Sequence, residues 1–132
     1  MSDPETIRTG DAPEPKGPFA QARRAGDFLF IAGQRGIDPK TGDLVPATIE
    51  ARARQALENI IAIAGATGGS AATFLSTTVY VTDMKAHRPA VNALYEEYFG
   101  ANLPTRTIVE VSALNEGDIF EIEAVVLIPE KR

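Results

Sequence analysis

The segment Ile119-Phe120-Glu121-Ile122-Glu123-Ala124-Val125-Val126-Leu127-Ile128 indicates how this chain folds. In an extended strand, alternate side chains point to opposite sides of the sheet. One side then carries only apolar residues, namely Phe120, Ile122, Ala124, Val126 and Ile128. From residue 121 to residue 127, the other side carries two carboxylates and two apolar residues, namely Glu121, Glu123, Val125 and Leu127. The first face belongs in a core, and we expect another subunit to cover part of the second.

Two amphipathic helices are predicted upstream of this strand. Apolar residues recur at helical spacing from Ile49 to Ala64, Thr48 suits the N-cap, and glycines from Gly65 onward end the pattern. Arg52 lies largely off this apolar stripe. A second apolar stripe predicts a helix that has Pro89 in its first turn and ends at Gly100.

Runs of β-branched and aromatic residues predict the remaining strands. The predicted order is a β-hairpin, a helix, a strand, a helix and a second β-hairpin. The strands are placed at Phe19–Arg24 and Phe28–Ala32, then Phe74–Val81, and finally Arg106–Val111 and Ile119–Ile128. Strands interleaved with two helices indicate an α+β fold with both helices on one face of a sheet.

The first residues differ from the rest of the chain in their pattern. Residues 1–16 contain several prolines and no periodicity, so we expect an extended or partly mobile arm. Regular structure is expected to begin near Gly17. The length of 132 residues suits a single domain, which we assign to residues 17–132.

Composition excludes several classes of function. The net charge of -5 argues against binding to a nucleic-acid backbone, which needs clustered cations. No apolar run reaches the roughly 18 residues of a membrane span, and no basic segment followed by an apolar one begins the chain, so we expect a cytoplasmic protein. The chain has no cysteine and one histidine, His87, which we interpret as a solvated loop residue. The chain therefore has few of the residues that bind a transition metal, and a Ser-His-Asp triad could use only His87.

The segment Pro104-Thr105-Arg106-Thr107-Ile108-Val109-Glu110-Val111 places an arginine at the start of a strand. A guanidinium stays charged and its planar fork matches a carboxylate, so Arg106 is a candidate anion receptor, although a surface ion pair has the same pattern. Glutamate is depleted in strands, and a buried carboxylate needs a partner. Glu121 is therefore a second candidate, with a structural salt bridge as the alternative.

Seven short segments of the chain resemble one protein family in order and spacing. They are Gly17-Pro18-Phe19-Ala20-Gln21, Ala32-Gly33-Gln34, Asp38-Pro39-Lys40-Thr41-Gly42, Glu58-Asn59-Ile60, Val91-Asn92-Ala93-Leu94-Tyr95, Pro104-Thr105-Arg106 and Glu121-Ile122-Glu123-Ala124. The family is RidA/YjgF, the reactive intermediate deaminases, formerly labelled endoribonuclease L-PSP. The resemblance implies a chorismate-mutase-like fold of the bacillary type, and a homotrimer around a central barrel with its sites between subunits. It also implies cofactor-free hydrolysis of small imine and enamine acids, such as 2-aminoacrylate, to 2-keto acids and ammonia.

The same resemblance implies roles for individual residues. Arg106 is similar to the arginine that binds the substrate carboxylate, and Glu121 to the glutamate that orients or deprotonates the attacking water. The resemblance adds Asn92, Gly33 and Thr107 to the pocket. Phe19 and Ala32 stand where the imine deaminases usually have tyrosine and serine. Both differences remove a hydroxyl from the expected site.

Several other functions remain open from the sequence. The Phe19 form of the motif also resembles the 2-aminomuconate deaminases, whose substrate is likewise an enamine acid with a carboxylate. A module that binds a metabolite carboxylate without turnover would use the same cleft. Ribonuclease activity, a label that some relatives carry, has little support in an acidic chain with a single histidine.

Overall fold

Six strands form one mixed sheet in the computed structural model, which describes residues 3–129. The strands are β1 (Glu5–Ile7), β2 (Ala22–Ala25), β3 (Phe28–Gln34), β4 (Phe74–Val81), β5 (Thr105–Glu110) and β6 (Phe120–Leu127). They lie in the order β1-β2-β3-β6-β4-β5. The β4–β5 pair is parallel, and the other neighbouring pairs are antiparallel. The predicted α+β fold with a mixed sheet is confirmed.

Strand β6 lies in the middle of the sheet, between β3 and β4. Our prediction that the last two strands form a hairpin is therefore wrong, because β5 pairs with β4 and β6 does not pair with β5. A parallel β4–β5 pair requires a crossover connection, which a helix supplies here. The central position of β6 places Glu121 and Glu123 on an interior strand of the sheet.

The two helices are α1 (Ile49–Gly65) and α2 (Met84–Phe99). Thr48 caps α1 as predicted, since its Oγ1 accepts a hydrogen bond from the backbone N–H of Ala51 at 3.1 Å. Glu50 and Arg54, one turn apart on α1, form an ion pair at 3.0 Å. The apolar stripe of each helix packs on the same face of the sheet, against buried residues such as Leu29, Val79 and Ile122. The placement of both helices on one face is therefore confirmed.

Helix α2 begins earlier than its sequence pattern indicates. The Oδ1 of Asp83 accepts a hydrogen bond from the backbone N–H of Ala86 at 3.2 Å and caps the helix, so Pro89 lies inside α2 instead of in its first turn. Pro89 lacks the backbone N–H of a helical residue, and it lies on the exposed side of α2. The prediction of a loop around His87 is wrong, because His87 belongs to α2 and its Nδ1 is buried without a hydrogen-bond partner among residues 3–129.

Regular structure begins before Gly17, contrary to our expectation. Glu5–Ile7 form the edge strand β1, which pairs with β2. Gln21 ties the following residues to the domain, since its Nε2 donates to the carbonyls of Thr9 at 3.1 Å and Pro13 at 3.0 Å. Part of the arm assigned to residues 1–16 is thus a strand. Residues 1–2 of that arm and residues 130–132 of the assigned domain lie outside the described residues.

Alternation along the strands separates a buried face from an open one. The helix-covered face holds the core, including Leu29, Phe120 and Val126. The opposite face presents large apolar side chains that are 39–50% exposed, namely Phe28, Phe30 and Leu127. Over the part of the chain that the structure describes, no helix is long and apolar enough to cross a membrane.

Candidate functional site

A cavity of about 200 Å³ surrounds the side chain of Glu121. Its walls come from the chain segment before β2, from the end of β3 and the residues that follow it, and from the turn before β6. They comprise Pro13, Glu14, Pro15, Lys16, Phe19, Gln21, Gly33, Gln34, Arg35, Ile37, Asn115 and Glu121. The predicted residues Phe19, Gly33 and Glu121 therefore meet in one place. This size suits a small metabolite, since drug-sized ligands occupy roughly 300–1,000 Å³.

Gly33 provides the floor on which the Glu121 carboxylate lies. A Cβ added at Gly33 would collide with Oε2 of Glu121, and it would also lie 2.9 Å from the carboxyl carbon. A side chain at position 33 would therefore displace the Glu121 carboxylate from its place against the backbone of β3. The sheet changes register between Ile31 and Gln34, which places this irregularity beside Glu121.

The carboxylate of Glu121 has no hydrogen-bond partner among residues 3–129. Partial burial raises its pKa above the usual value, the positive charge of Arg35 lowers it, and the negative charges of Asp118 and Glu123 raise it. Glu123 lies two residues further along the same face and differs in this respect, because it accepts a hydrogen bond from Tyr80 Oη at 2.7 Å. Glu121 is therefore free to bind a ligand or water, and a raised pKa suits a carboxylate that must accept a proton.

A buried ionic network closes one end of this cavity. Asp118 is fully buried and accepts hydrogen bonds from Arg35 Nη1 at 2.8 Å and from Arg52 Nη1 at 2.6 Å. Arg35 also pairs through Nη2 with Glu116 at 2.6 Å. Arg52 is only 8% exposed, so the prediction that it lies off the buried side of α1 is wrong. Its burial is possible because Asp118 compensates its charge.

Arg106 lies in a second groove, at the β5 edge of the sheet. This groove is lined by Asn92, Tyr95, Glu96, Leu103, Pro104 and Arg106. The Arg106 guanidinium carbon lies 4.9 Å from the centre of the Tyr95 ring, on its face. Over residues 3–129 we find no ion pair or side-chain hydrogen bond of Arg106. The ring holds the planar cation in place while its donors stay free for an anion.

A hydrogen bond to Thr77 on β4 fixes the position of Tyr95. Its hydroxyl lies 2.7 Å from Oγ1 of Thr77, and that oxygen also donates to the carbonyl of Thr105 at 3.1 Å. Burial raises the pKa of Tyr95 to about 12, while the hydrogen bond with Thr77 and the charge of Arg106 lower it. The ring is therefore neutral at physiological pH and acts as a platform for Arg106.

The structure does not bring Arg106 and Glu121 together within one chain. Arg106 is in register with Thr77, which points into the helix-covered core. Glu121 is in register with Tyr80, which lies three residues further along β4 and therefore points to the open face. The two candidate catalytic residues thus point to opposite faces of the sheet and line separate grooves.

The other predicted residues divide between these grooves or fall outside them. Asn92 lines the Arg106 groove. Ala32 lies in a shallow depression with Phe30, and Thr107 is exposed on the open face, so neither lines the Glu121 cavity or the Arg106 groove. Reasoning from the sequence missed Arg35, whose partner Asp118 lies 83 residues away in the chain. No local pattern reveals a pair with that separation.

Metal ligands are scarce around these grooves. Across residues 3–129, the structure places no three His, Asp or Glu side chains where they could hold a metal ion. The cationic side chain of Lys16 lines the Glu121 cavity, where its Nζ donates to the carbonyl of Gly42 at 2.7 Å. The charged side chains that line this cavity are those of Glu14, Lys16, Arg35 and Glu121.

Comparison with known proteins identifies the family to which this chain belongs. The family described as Endoribonuclease L-PSP matches residues 9–128. A RutC family protein of Pyrococcus horikoshii is 50% identical over 121 residues, which cover 92% of this chain and 95% of the relative. A protein of Escherichia coli K12 named 2-iminobutanoate/2-iminopropanoate deaminase is 40% identical over 124 residues, with coverage of 92% and 95%.

A solved structure provides the corresponding match in three dimensions. YyfA of Yersinia pestis, described as a protein of the conserved Rid family, superposes with a TM-score of 0.91 at 37% identity. The match covers 96% of this chain and 100% of that chain. The chain therefore belongs to the endoribonuclease L-PSP family, which is the RidA/YjgF family that its short motifs resemble.

Proposed function

We propose that this protein hydrolyses small 2-imino acids, and the enamines that are their tautomers, to 2-keto acids and ammonia. The observation that carries the proposal is the free carboxylate of Glu121, which is half-buried over Gly33 and has a raised pKa. Support also comes from relatives at about 40% identity that are named imine deaminases.

In the proposed reaction, Arg106 binds the substrate carboxylate through the N–H donors that remain free beside Tyr95. The oxygen of a water molecule then attacks the imine carbon, and Glu121 accepts the proton that this water loses. The imine nitrogen takes up this proton from Glu121 as the carbon–nitrogen double bond becomes single, which restores the carboxylate and forms an aminoalcohol. The hydroxyl group of the aminoalcohol then gives its proton to the nitrogen through Glu121, the carbon–nitrogen bond breaks, and the products are the keto acid and ammonia. The reaction needs no change of oxidation state, and we propose that it needs no cofactor.

We further propose that Arg106 and Glu121 meet between subunits. The two residues face opposite sides of the sheet in one chain, so a common site needs Arg106 of one copy and Glu121 of another. The open face supports such an assembly because it exposes the apolar side chains of Phe28, Phe30 and Leu127. The proposed assembly is a homotrimer in which these faces form a central barrel, as in chorismate-mutase-like folds.

The assembly is tested by sedimentation. We expect a particle of three 14.1 kDa chains at micromolar concentration, and we expect Phe30→Lys to dissociate it, because the substitution places a charge on the apolar open face. Ala66→Lys adds the same charge at an exposed position that ends α1, on the helical side, and should leave the trimer intact. A monomeric wild-type protein would contradict the proposal.

The function is tested with an imine made in situ. A serine dehydratase supplies 2-aminoacrylate, and the rate of pyruvate formation is measured with and without the protein. The wild type should accelerate the reaction. Arg106→Ala should lower kcat/KM by about 10–150-fold, because a charge-assisted hydrogen bond contributes roughly 1.5–3 kcal/mol.

The matched control for Arg106→Ala is Arg88→Ala. Arg88 is an exposed arginine of α2 that lies outside the Arg106 groove. Its replacement changes the net charge equally and should leave the rate unchanged. An unchanged rate for Arg106→Ala would refute the role assigned to Arg106. A wild-type protein that binds 2-keto acids in calorimetry but accelerates no imine hydrolysis would show a binding module instead of an enzyme.

A further inference from the structure

Arg35 connects the Glu121 cavity to the turn that precedes β6. Its side chain is only 8% exposed and lines the cavity together with Glu121 and Asn115. Nη1 donates to the backbone carbonyl of Asn115 at 3.2 Å and to Asp118 at 2.8 Å, while Nη2 donates to Glu116 at 2.6 Å. One guanidinium therefore contacts three residues of the four-residue turn from Asn115 to Asp118.

That turn needs an external restraint. Glu116 has a φ of 58°, in the left-handed region that non-glycine residues seldom adopt, and Gly117 follows with a φ of 67°. This conformation is unfavourable for a residue that has a side chain, and it persists where surrounding contacts enforce it. The ion pair with Arg35 is such a contact. Asn115 is thereby held as part of the cavity wall.

Arg35 also contributes a positive charge to the electrostatic environment of Glu121. The charged groups around Glu121 are Arg35 after β3, Asp118 before β6 and Glu123 on β6, and the cavity wall adds Glu14 and Lys16. Tyr80, the register partner on β4, is neutral at physiological pH because its hydrogen bond to Glu123 raises its pKa. Burial raises the pKa of Glu121, and the charge of Arg35 opposes this effect. Arg35 is thus the buried cation that favours the ionised form of Glu121.

We propose that Arg35 is a positioning residue for the reaction, which places a buried positive charge in the cavity wall beside Glu121 and fixes the Asn115–Asp118 turn as another part of that wall. This inference rests on the proposed role of Glu121 as the proton acceptor. It assigns a function to a cation that none of the catalytic steps contacts directly. Arg52 provides the comparison, because it binds the same Asp118 at 2.6 Å without lining the cavity.

The test is a titration of the Glu121 carboxyl, followed by carbon-13 NMR in the folded protein. In Arg35→Gln the midpoint should move to higher pH, because the opposing positive charge is lost. In Arg52→Gln it should stay near the wild-type value, although both variants lose an ion pair to Asp118. A purely structural role predicts that the two arginine variants behave alike, and that result would overturn the proposal.

Glu116→Gln is a milder variant, because the Glu116 side chain is 45% exposed and the glutamine amide oxygen can still accept the hydrogen bond from Arg35 Nη2. Loss of this acid leaves the positive charge of Arg35 less compensated, so the Glu121 midpoint should move to lower pH. An unchanged or raised midpoint would overturn the proposal even if Arg35→Gln does not fold. These titrations need no turnover, so they are independent of whether imine hydrolysis is observed. Where turnover is observed, the acid limb of kcat/KM should move in the same direction as each midpoint.

Discussion

Replacing Glu121 with glutamine is expected to slow imine hydrolysis by about 10²–10⁴-fold, which is the usual contribution of a positioned general base. Glutamine keeps the size of the side chain above Gly33, but it cannot accept a proton from water. The loss should appear in kcat at saturating substrate, because Arg106 still binds the substrate carboxylate. The measurement is the coupled assay with an imine supplied in situ.

Glu123→Gln is the matched control for this prediction. Glu123 lies on the same face of the same strand, but its carboxylate is engaged by the hydroxyl of Tyr80. Its replacement should leave kcat within a few-fold of the wild type. Equal losses in Glu121→Gln and Glu123→Gln would contradict the assignment of the base to Glu121.

The stability of Glu121→Gln shows whether a loss of activity comes from the missing base or from unfolding. The folded-state pKa of Glu121 is raised above its ordinary value, so its contribution to stability is present below that ordinary value and is lost as pH rises through the folded-state pKa. Glutamine does not titrate, so Glu121→Gln should gain stability relative to the wild type over that pH range. Thermal unfolding at several pH values measures the difference. If the variant is inactive but no less stable than the wild type at neutral pH, its fold is intact and the loss of activity comes from the missing carboxylate.

Replacing Asp118 with asparagine is expected to lower the free energy of unfolding by about 3–5 kcal/mol, which is the usual effect of removing one partner from a buried ionic pair. Asp118 is fully buried and is shared by Arg35 and Arg52. It also accepts from the backbone N–H of Ile119 at 2.8 Å. The variant would leave the buried guanidinium of Arg52 paired with a neutral amide, while Arg35 would keep only its ion pair with Glu116. Urea unfolding at one fixed protein concentration measures the loss, since assembly also contributes to stability.

The control for Asp118→Asn is Glu14→Gln, which removes an exposed partner from an ion pair. Glu14 pairs with Arg8 at 2.7 Å, and its side chain is 74% exposed. Solvent screens such a pair, so the change should stay within about 1 kcal/mol. If both substitutions cost equally little, the buried network would not be the element that stabilises this end of the cavity.

The local sequence pattern predicts both helices and most of the strands. Its errors lie where two sequence features predict different boundaries for the same element. Strand β4 was predicted with the bounds that the structure shows, because β-branched residues fill it and turn residues flank it. Helix α2 was predicted to begin near Pro89, because proline favours the first turn. The Asp83 cap moves that beginning to Met84, and proline is tolerated on the exposed side. Competition between a cap and a proline is decided by packing, which a local pattern does not contain.

The sequence predicted which residues belong to the candidate site, but it did not predict how they are arranged in space. The positions Arg106 and Glu121 stand out from residue type alone, since each puts a charge in or beside a strand. Their separation onto opposite faces depends on the order β6-β4-β5, which replaces the expected hairpin. Arg35 could not be identified from the sequence, because its place in the cavity wall depends on hydrogen bonds to Asp118 and Glu116, which are more than 80 residues away in the chain.

The sequence by itself determined the α+β class, the two amphipathic helices, the two-faced last strand and the charged residues available for chemistry. These properties follow from side-chain periodicity and residue type, which are local. Only the tertiary structure decided that β6 lies centrally, that the Glu121 carboxylate lies against Gly33, and that Asp118 pairs with both Arg35 and Arg52. These are contacts between residues distant in sequence, and strand pairing and burial select them across the whole domain.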